Sequence, residues 1–188
     1  MKEIDVGITN YNSLATDGGT HLFGTPVLTK ALAKKRFKKE ELFVGQINFA
    51  DLAPFADGLK PSGMLYIFYD TFEHAYSLFS TKEEGTVPID GFNDKFSLYG
   101  RFSYPLKLVF AEGEKAFKNK MFAELPQPVK DAYPQKKSGY KSIITLFPET
   151  LDYFERNYLF GVKYCSVIAA REKDILKNRF GGAVTLNV

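Results

Sequence analysis

The residues of this sequence that could do acid–base or metal chemistry are few. Its 188 residues include two histidines, His21 and His74, and one cysteine, Cys165. A zinc or iron site needs several ligands with convergent spacing, and these three residues are far apart in the chain. His74 follows Asp70 by four residues, so a helical turn would pair them, either as a general-base dyad or as an ordinary surface contact. We favour the surface contact and predict no metal and no cofactor.

Cys165 could react only as a thiolate, which needs adjacent positive charge or a helix N-terminus. Lys163 is two residues away and on the same side of a strand. The neighbouring apolar residues instead favour a buried cysteine that packs as a small hydrophobic side chain. A single cysteine forms no internal disulfide, so we predict a reducing, cytoplasmic environment.

Two amide side chains follow an apolar run in "LFVGQINFADL", residues 42–52. Strict strand alternation places Gln46 and Asn48 on the same face as Leu42 and Val44. The amides could line a cleft and bind a ligand, or Gln46 could bond the backbone of the Gly24–Pro26 turn or the Pro61 turn. We favour the second interpretation. A cleft between those turns is nevertheless the predicted ligand-binding region, and its candidate residues are Gly24, Thr25, Pro26, Gln46, Asn48, Pro61 and Gly63.

Two further segments suggest phosphate or nucleic-acid binding. The glycines of "TDGGTHLFGTP" lack the Gly-Lys-Ser/Thr of a nucleotide loop, so they favour tight turns. Six basic residues lie within Lys30–Lys39, which fits a nucleic acid or an acidic partner. Glu40 and Glu41 follow directly, and the net charge is only +3. A solvated helix face is favoured, and nucleic acid is not an expected partner.

The composition is that of a globular protein with an aromatic core. Hydrophobic residues are 45% and charged residues 25%, with 18 Phe, 11 Tyr and no Trp. This length favours a single domain, residues 1–188. The first residues lack the apolar stretch of a secretory signal, and no run approaches the ~18 apolar residues of a membrane span. We predict no membrane association.

Hydrophobic periodicity and breaker residues predict an alternation of strands and helices. The predicted strands are residues 41–49, 63–70, 96–104, 106–110, 162–170 and 183–188. The predicted helices are 27–41 with Thr29 as N-cap, a short one within 50–59, 111–125, 147–161 and 171–182. Residues 1–25 and 126–141 are predicted connections. The order predicts an α+β fold, with a twisted, mainly antiparallel sheet and peripheral helices.

Five consecutive segments occur in a recognisable order and spacing. Gly24–Leu28 contains a Gly-x-Pro-x-Leu turn, Leu42–Asn48 is an apolar strand ending in Gln-Ile-Asn, and Ala50–Leu52 is acidic. Leu59–Gly63 is a proline turn, and Met64–Tyr69 is strongly apolar. Through these elements residues 20–69 resemble the amino-terminal half of the YwqG-like family of bacterial cytoplasmic proteins. The resemblance implies that family's α+β fold and no established catalytic residue. Some relatives resemble neighbours of toxin and immunity genes, which implies a protein or peptide partner.

The sequence therefore predicts a non-catalytic cytoplasmic binding protein. Recognition would use the loops around Gly24–Val27, Gln46–Asn48 and Pro61–Gly63. Two alternatives stay open. One is a small-molecule enzyme that uses His21 or His74 with a carboxylate such as Asp70. The other is weak binding of nucleic acid or an acidic partner through Lys30–Lys39.

Overall fold

The structure is a computed structural model. It describes residues 2–10, 18–36, 41–55, 58–60, 62–70, 72, 75–94, 102, 104–136, 138–150 and 164–188. Contacts within the chain define two compact units. Unit 1 comprises Met1–Gly7, Pro54–Leu59 and Val109–Val188, and unit 2 comprises Ile8–Ala53 and Lys60–Leu108. One domain over residues 1–188 stays a prediction.

Strands make up most of the regular structure in the described residues. They are β1 (Ile4–Asn10), β2 (His21–Leu22), β3 (Val27–Leu28), β4 (Glu41–Asn48), β5 (Met64–Asp70), β6 (Ala75–Thr81), β7 (Val87–Pro88), β8 (Leu106–Ala111), β9 (Asn119–Met121), β10 (Tyr140–Leu146), β11 (Ser166–Arg171) and β12 (Val184–Asn187). The helices are α1 (Lys30–Arg36), α2 (Phe49–Leu52), α3 (Gln127–Ala132) and α4 (Glu172–Ile175).

The α+β prediction is therefore wrong, although its antiparallel pairing is confirmed: the fold is mostly β. The longest helix in the described ranges, α1, has seven residues. Its N-cap is confirmed, since the Thr29 hydroxyl accepts a hydrogen bond from the Leu32 amide at 3.3 Å. The predicted helix nevertheless began too early, because residues 27 and 28 pair with β7.

The predicted helix over residues 111–125 is also wrong. The chain leaves β8, turns at Gly113 with φ +71° and returns as β9. The Asp5 carboxylate accepts a hydrogen bond from the Glu114 amide at 2.8 Å, so a side chain of β1 satisfies this turn. Residues 1–25 are likewise more than a connection, because they contain β1 and β2. Most of the predicted strand 96–104 and most of the predicted helix 147–161 lie outside the described residues.

Unit 1 has the strand order β12-β11-β10-β9-β1, and its described neighbours pair antiparallel. Its core joins the inner face of β11 to α3 and β12. The buried residues of this cluster are Leu125, Val129, Cys165, Val167, Ala169 and Leu186. Burying such side chains in a continuous cluster supplies the main favourable term in folding.

Unit 2 has the strand order β8-β2-β4-β5-β6 and a separate β3–β7 pair. Its buried cluster is rich in aromatic side chains and consists of Leu28, Leu32, Ala33, Phe43, Met64, Tyr66, Phe68 and Phe92. The rings of Phe43, Phe68 and Phe92 lie 5.9–6.4 Å apart, the spacing of edge-to-face and tilted aromatic contacts.

One irregularity in unit 2 changes which side chains share a face. Phe43 pairs with Phe68, but Gly45 pairs with Ile67, so Val44 is an extra residue in β4. Such a β-bulge reverses the alternation of side chains beyond it. The Val44 carbonyl accepts a hydrogen bond from the Phe23 amide at 2.9 Å.

Candidate functional site

The Val44 bulge places Gln46 in the core of unit 2. Beyond the bulge Gln46 pairs with Tyr66, and it therefore shares the face of Phe43. The predicted face, with Leu42 and Val44, is wrong. Gln46 is 0% exposed. Its side chain must find hydrogen-bond partners within the protein.

Both ends of the Gln46 amide are bonded to backbone. Its oxygen accepts a hydrogen bond from the Val27 amide at 2.9 Å, and its nitrogen donates to the Gly19 carbonyl at 2.9 Å. Val27 directly follows the Gly24–Pro26 turn, so the predicted tie between Gln46 and this turn is confirmed at the next residue. The Gly19 bond was not predicted. The other predicted tie, to Pro61, lies outside the described residues.

Val27 is held by two side chains at once. The Gln46 side-chain oxygen accepts a hydrogen bond from the Val27 amide, and the Tyr66 hydroxyl donates a hydrogen bond to the Val27 carbonyl at 2.8 Å. Gly85 packs so close that an added Cβ would lie 1.8 Å from the Val27 oxygen and 2.6 Å from the Tyr66 oxygen. Burial also raises the pKa of Tyr66, which keeps this donor protonated.

The other residues of the predicted ligand-binding region also have structural roles. Asn48 caps α2, since its side-chain oxygen accepts a hydrogen bond from the Ala50 amide at 3.0 Å. Gly24 has φ +71°, and its amide donates to the Phe102 carbonyl at 2.8 Å. Thr25 and Pro26 are buried, and so is Gly63 with φ +99°. Ligand binding by this set stays a prediction, and Pro61 cannot be placed.

The candidate catalytic residues are found in structural surroundings. His21 is 0% exposed, its Nδ1 lies 3.0 Å from the Gly19 carbonyl, and its ring contacts Phe43 edge-on at 5.8 Å. Asp70 is the last residue of β5. His74 itself lies outside the described residues. An enzymatic role for either histidine stays a prediction.

Cys165 is 0% exposed, as predicted for a cysteine that packs as a hydrophobic side chain. Burial, assisted by the negative charge of Glu149, raises the pKa of its thiol to about 11. At neutral pH the thiol form therefore predominates, which makes it a poor nucleophile.

The lysine-rich segment is only partly a free cationic surface. Lys30, Lys34 and Lys35 are exposed on α1. Arg36 is instead 8% exposed, pairs with the Glu41 carboxylate and lies 5.0 Å above the Phe68 ring. The lysines at positions 38 and 39 lie outside the described residues. Binding through this segment stays a prediction.

An open cleft occurs in unit 1, at the end of the β10–β11 pair, where Tyr140 is opposite Arg171. Gly139, with φ +73°, turns the chain just before β10. Its carbonyl accepts a hydrogen bond from the Glu172 amide at 3.0 Å, which ties the turn to the start of α4. The cleft has a volume of about 410 Å³ and is lined by Ser138, Gly139, Arg171, Glu172 and Lys173.

Cationic side chains surround this cleft. Arg171 and Lys173 are exposed, and the Lys136 ammonium lies 3.2 Å from the Tyr140 hydroxyl and 4.7 Å from its ring centre. The Arg171 guanidinium is 6.0 Å from the same ring. Hydrogen bonds from Lys136 and Arg171 lower the pKa of Tyr140, which reports the local excess of positive charge.

The acidic residue at the cleft does not cancel this excess. The Glu172 carboxylate, which also lines the cleft, lies 3.6 Å from the Lys141 ammonium, and Lys141 is shared with Glu124, so the charge of Glu172 is only partly matched. We call the set Lys136, Ser138, Gly139, Tyr140, Arg171 and Lys173 the cationic cleft. Sequence reasoning missed it, because residues 126–141 were interpreted as a connection and residues 171–182 as a helix. The available sequence signal was the presence of basic residues just before Tyr140 and at Arg171 and Lys173, while the pairing that brings them together is seen only in the structure.

Comparison with known proteins leaves the chain without an assigned family. No family model matches it, and no curated protein matches it either. The resemblance to the YwqG-like family therefore stays a prediction. In the ranges that the structure describes, no three or more His, Cys, Asp or Glu side chains group as they would around a metal ion. No helix in those ranges has the length and apolarity needed to cross a membrane.

Proposed function

We propose that the protein is a non-catalytic binding protein and that its cationic cleft receives an anionic ligand or partner. The observation that carries the proposal is an open cleft of about 410 Å³ with Arg171 and Lys173 exposed on its walls. Charged groups in a concave surface attract and orient ligands of opposite charge. The location we propose is the cytoplasm, as the single cysteine indicates.

The proposal places recognition in unit 1 and not at the predicted ligand-binding region around Gln46. Gln46 uses both ends of its amide within unit 2, so binding a ligand through it would require breaking one buried and one partly buried hydrogen bond. The cleft needs no such rearrangement, because its cationic groups are already at the surface. The burial of His21 and the raised pKa of Cys165 support the non-catalytic part of the proposal.

An NMR titration of amide shifts with acetylated tetraglutamate tests this function. We expect saturable shifts at Gly139 and Glu172, and about tenfold weaker binding after combined Arg171→Gln and Lys173→Gln substitution. A matched control, Lys34→Gln with Lys35→Gln, removes the same charge from α1 and should leave the affinity unchanged. Shifts that follow the α1 substitutions would overturn the cleft assignment. Chemical conversion of a ligand bound there would overturn the non-catalytic assignment.

A further inference from the structure

The cationic cleft combines features that select among anions. Two cationic side chains, Arg171 and Lys173, line it together with one carboxylate, Glu172, and a third cation, Lys136, lies beside Tyr140. A guanidinium offers a planar fork that bonds two oxygens at once, while an ammonium acts as a compact point charge. Ser138 adds a hydroxyl at the lining. A carboxylate offers these donors one charge and two oxygens with about four acceptor sites, whereas a phosphate monoester offers a greater charge and three oxygens.

Resting on the proposed function, we propose that the occupant is the phosphate monoester of a small molecule. A phosphate monoester carries about −1.5 to −2 charges at neutral pH and three strong acceptor oxygens. Arg171 can donate hydrogen bonds to two of these oxygens, and Lys173 and Ser138 can donate to the third. Lys136 then adds long-range attraction from its position beside Tyr140.

The size of the cleft favours a ligand larger than the phosphate alone. Its volume of about 410 Å³ falls at the lower end of the roughly 300–1,000 Å³ typical of small-molecule sites. A phosphate group occupies a minor part of this space, and the rest can hold a small organic body.

Glycerol 3-phosphate and succinate, titrated at constant ionic strength, separate phosphate recognition from simple charge attraction. Both are close to doubly negative at pH 7.5, and the amide shifts of Gly139 and Glu172 report on binding. We expect glycerol 3-phosphate to bind about tenfold more tightly than succinate. Arg171→Lys keeps the charge but removes the fork, and it should weaken glycerol 3-phosphate about tenfold while changing succinate little. The control Lys34→Gln should alter neither.

Each other outcome has a defined meaning. Equal affinity for the two probes, or unchanged glycerol 3-phosphate binding in Arg171→Lys, overturns the phosphate assignment. Tighter binding of a phosphoserine peptide than of glycerol 3-phosphate overturns the small-molecule assignment. If tetraglutamate saturates the cleft but glycerol 3-phosphate does not bind, this inference fails and the proposed function stands. If neither probe shifts the cleft amides, both fail.

Discussion

Gln46→Leu tests whether the buried amide holds unit 2 together. Leucine keeps similar volume, but it leaves the Val27 amide without its hydrogen-bond acceptor and removes one of the two side-chain contacts of the Gly19 carbonyl, which keeps His21 Nδ1 at 3.0 Å. Val27 is 3% exposed, so its orphaned amide costs about 1–3 kcal/mol, while the half-buried Gly19 carbonyl can recruit water and costs about 1 kcal/mol. We therefore expect a loss of about 2–4 kcal/mol in the free energy of unfolding.

Urea denaturation followed by circular dichroism measures this loss. With a slope of about 2 kcal/mol per molar urea, the midpoint should fall by about 1–2 M at an unchanged slope. Gln127→Leu is the matched control. Gln127 is exposed and bonds only Asp131, so we expect a change of about 0.5 kcal/mol or less. A Gln46→Leu midpoint indistinguishable from that control would refute the reasoning.

Gln46→Glu adds a pH-dependent version of the same test. The new carboxyl would face the Gly19 carbonyl in a buried site, so its folded-state pKa should lie above the ordinary value of about 4.3. A group whose pKa is raised on folding loses its stabilising contribution as the pH rises. The free energy of unfolding of the variant should therefore be closest to that of the wild type near pH 4, and the difference should be larger at pH 8. A deficit independent of pH would show that position 46 is hydrated.

Three further predictions concern single residues. Burial opposes ionisation of Asp5, but hydrogen bonds from a lysine and two backbone amides outweigh it and lower the pKa of the carboxyl. The contribution of Asp5 to stability therefore disappears as the pH falls below about 3.8. Asp5→Asn should flatten the acid-unfolding curve, measured by circular dichroism, in that pH range. Cys165 should react with a thiol reagent about a hundredfold more slowly than in urea-unfolded protein at pH 8, and equal rates would contradict its burial. Gly85→Ala should lower the free energy of unfolding, measured by urea titration, by about 3 kcal/mol or more, because the added Cβ would overlap the Val27 oxygen. Gly182→Ala has open space around it, so its free energy of unfolding should change by no more than about 1 kcal/mol.

Periodicity located some of the elements and missed others. Five of the twelve described strands, β4, β5, β8, β11 and β12, lie in alternating or apolar runs that were predicted as strands, and the other seven were missed. Three of the four described helices, α1, α2 and α4, overlap predicted helices that were too long. The helix predicted over residues 111–125 failed because Gly113 and the Asp5 carboxylate create a turn. The Asp5 contact joins residues 109 positions apart in sequence, which no local pattern contains.

The candidate site shows the same division between local and distant information. A buried glutamine must bond something, so its tie to the turn before Val27 could be inferred. Its Gly19 partner could not, because the Val44 bulge changes the face on which Gln46 lies. The cationic cleft depends on the Tyr140–Arg171 pairing, and a register between strands far apart in sequence cannot be derived from periodicity alone.

The pairing of β1 with β9 has a consequence for biosynthesis. Ile4 pairs with Met121, so β1 leaves the ribosome before its partner strand, which is made 117 residues later. At about 5–20 residues per second, this delay is roughly 6–23 s. During that interval the apolar Ile4 and Val6 side chains have no native neighbour on the β9 side. Slower translation lengthens this exposure, so the yield of correctly folded chain should depend on elongation rate and on chaperones that shield nascent amino termini.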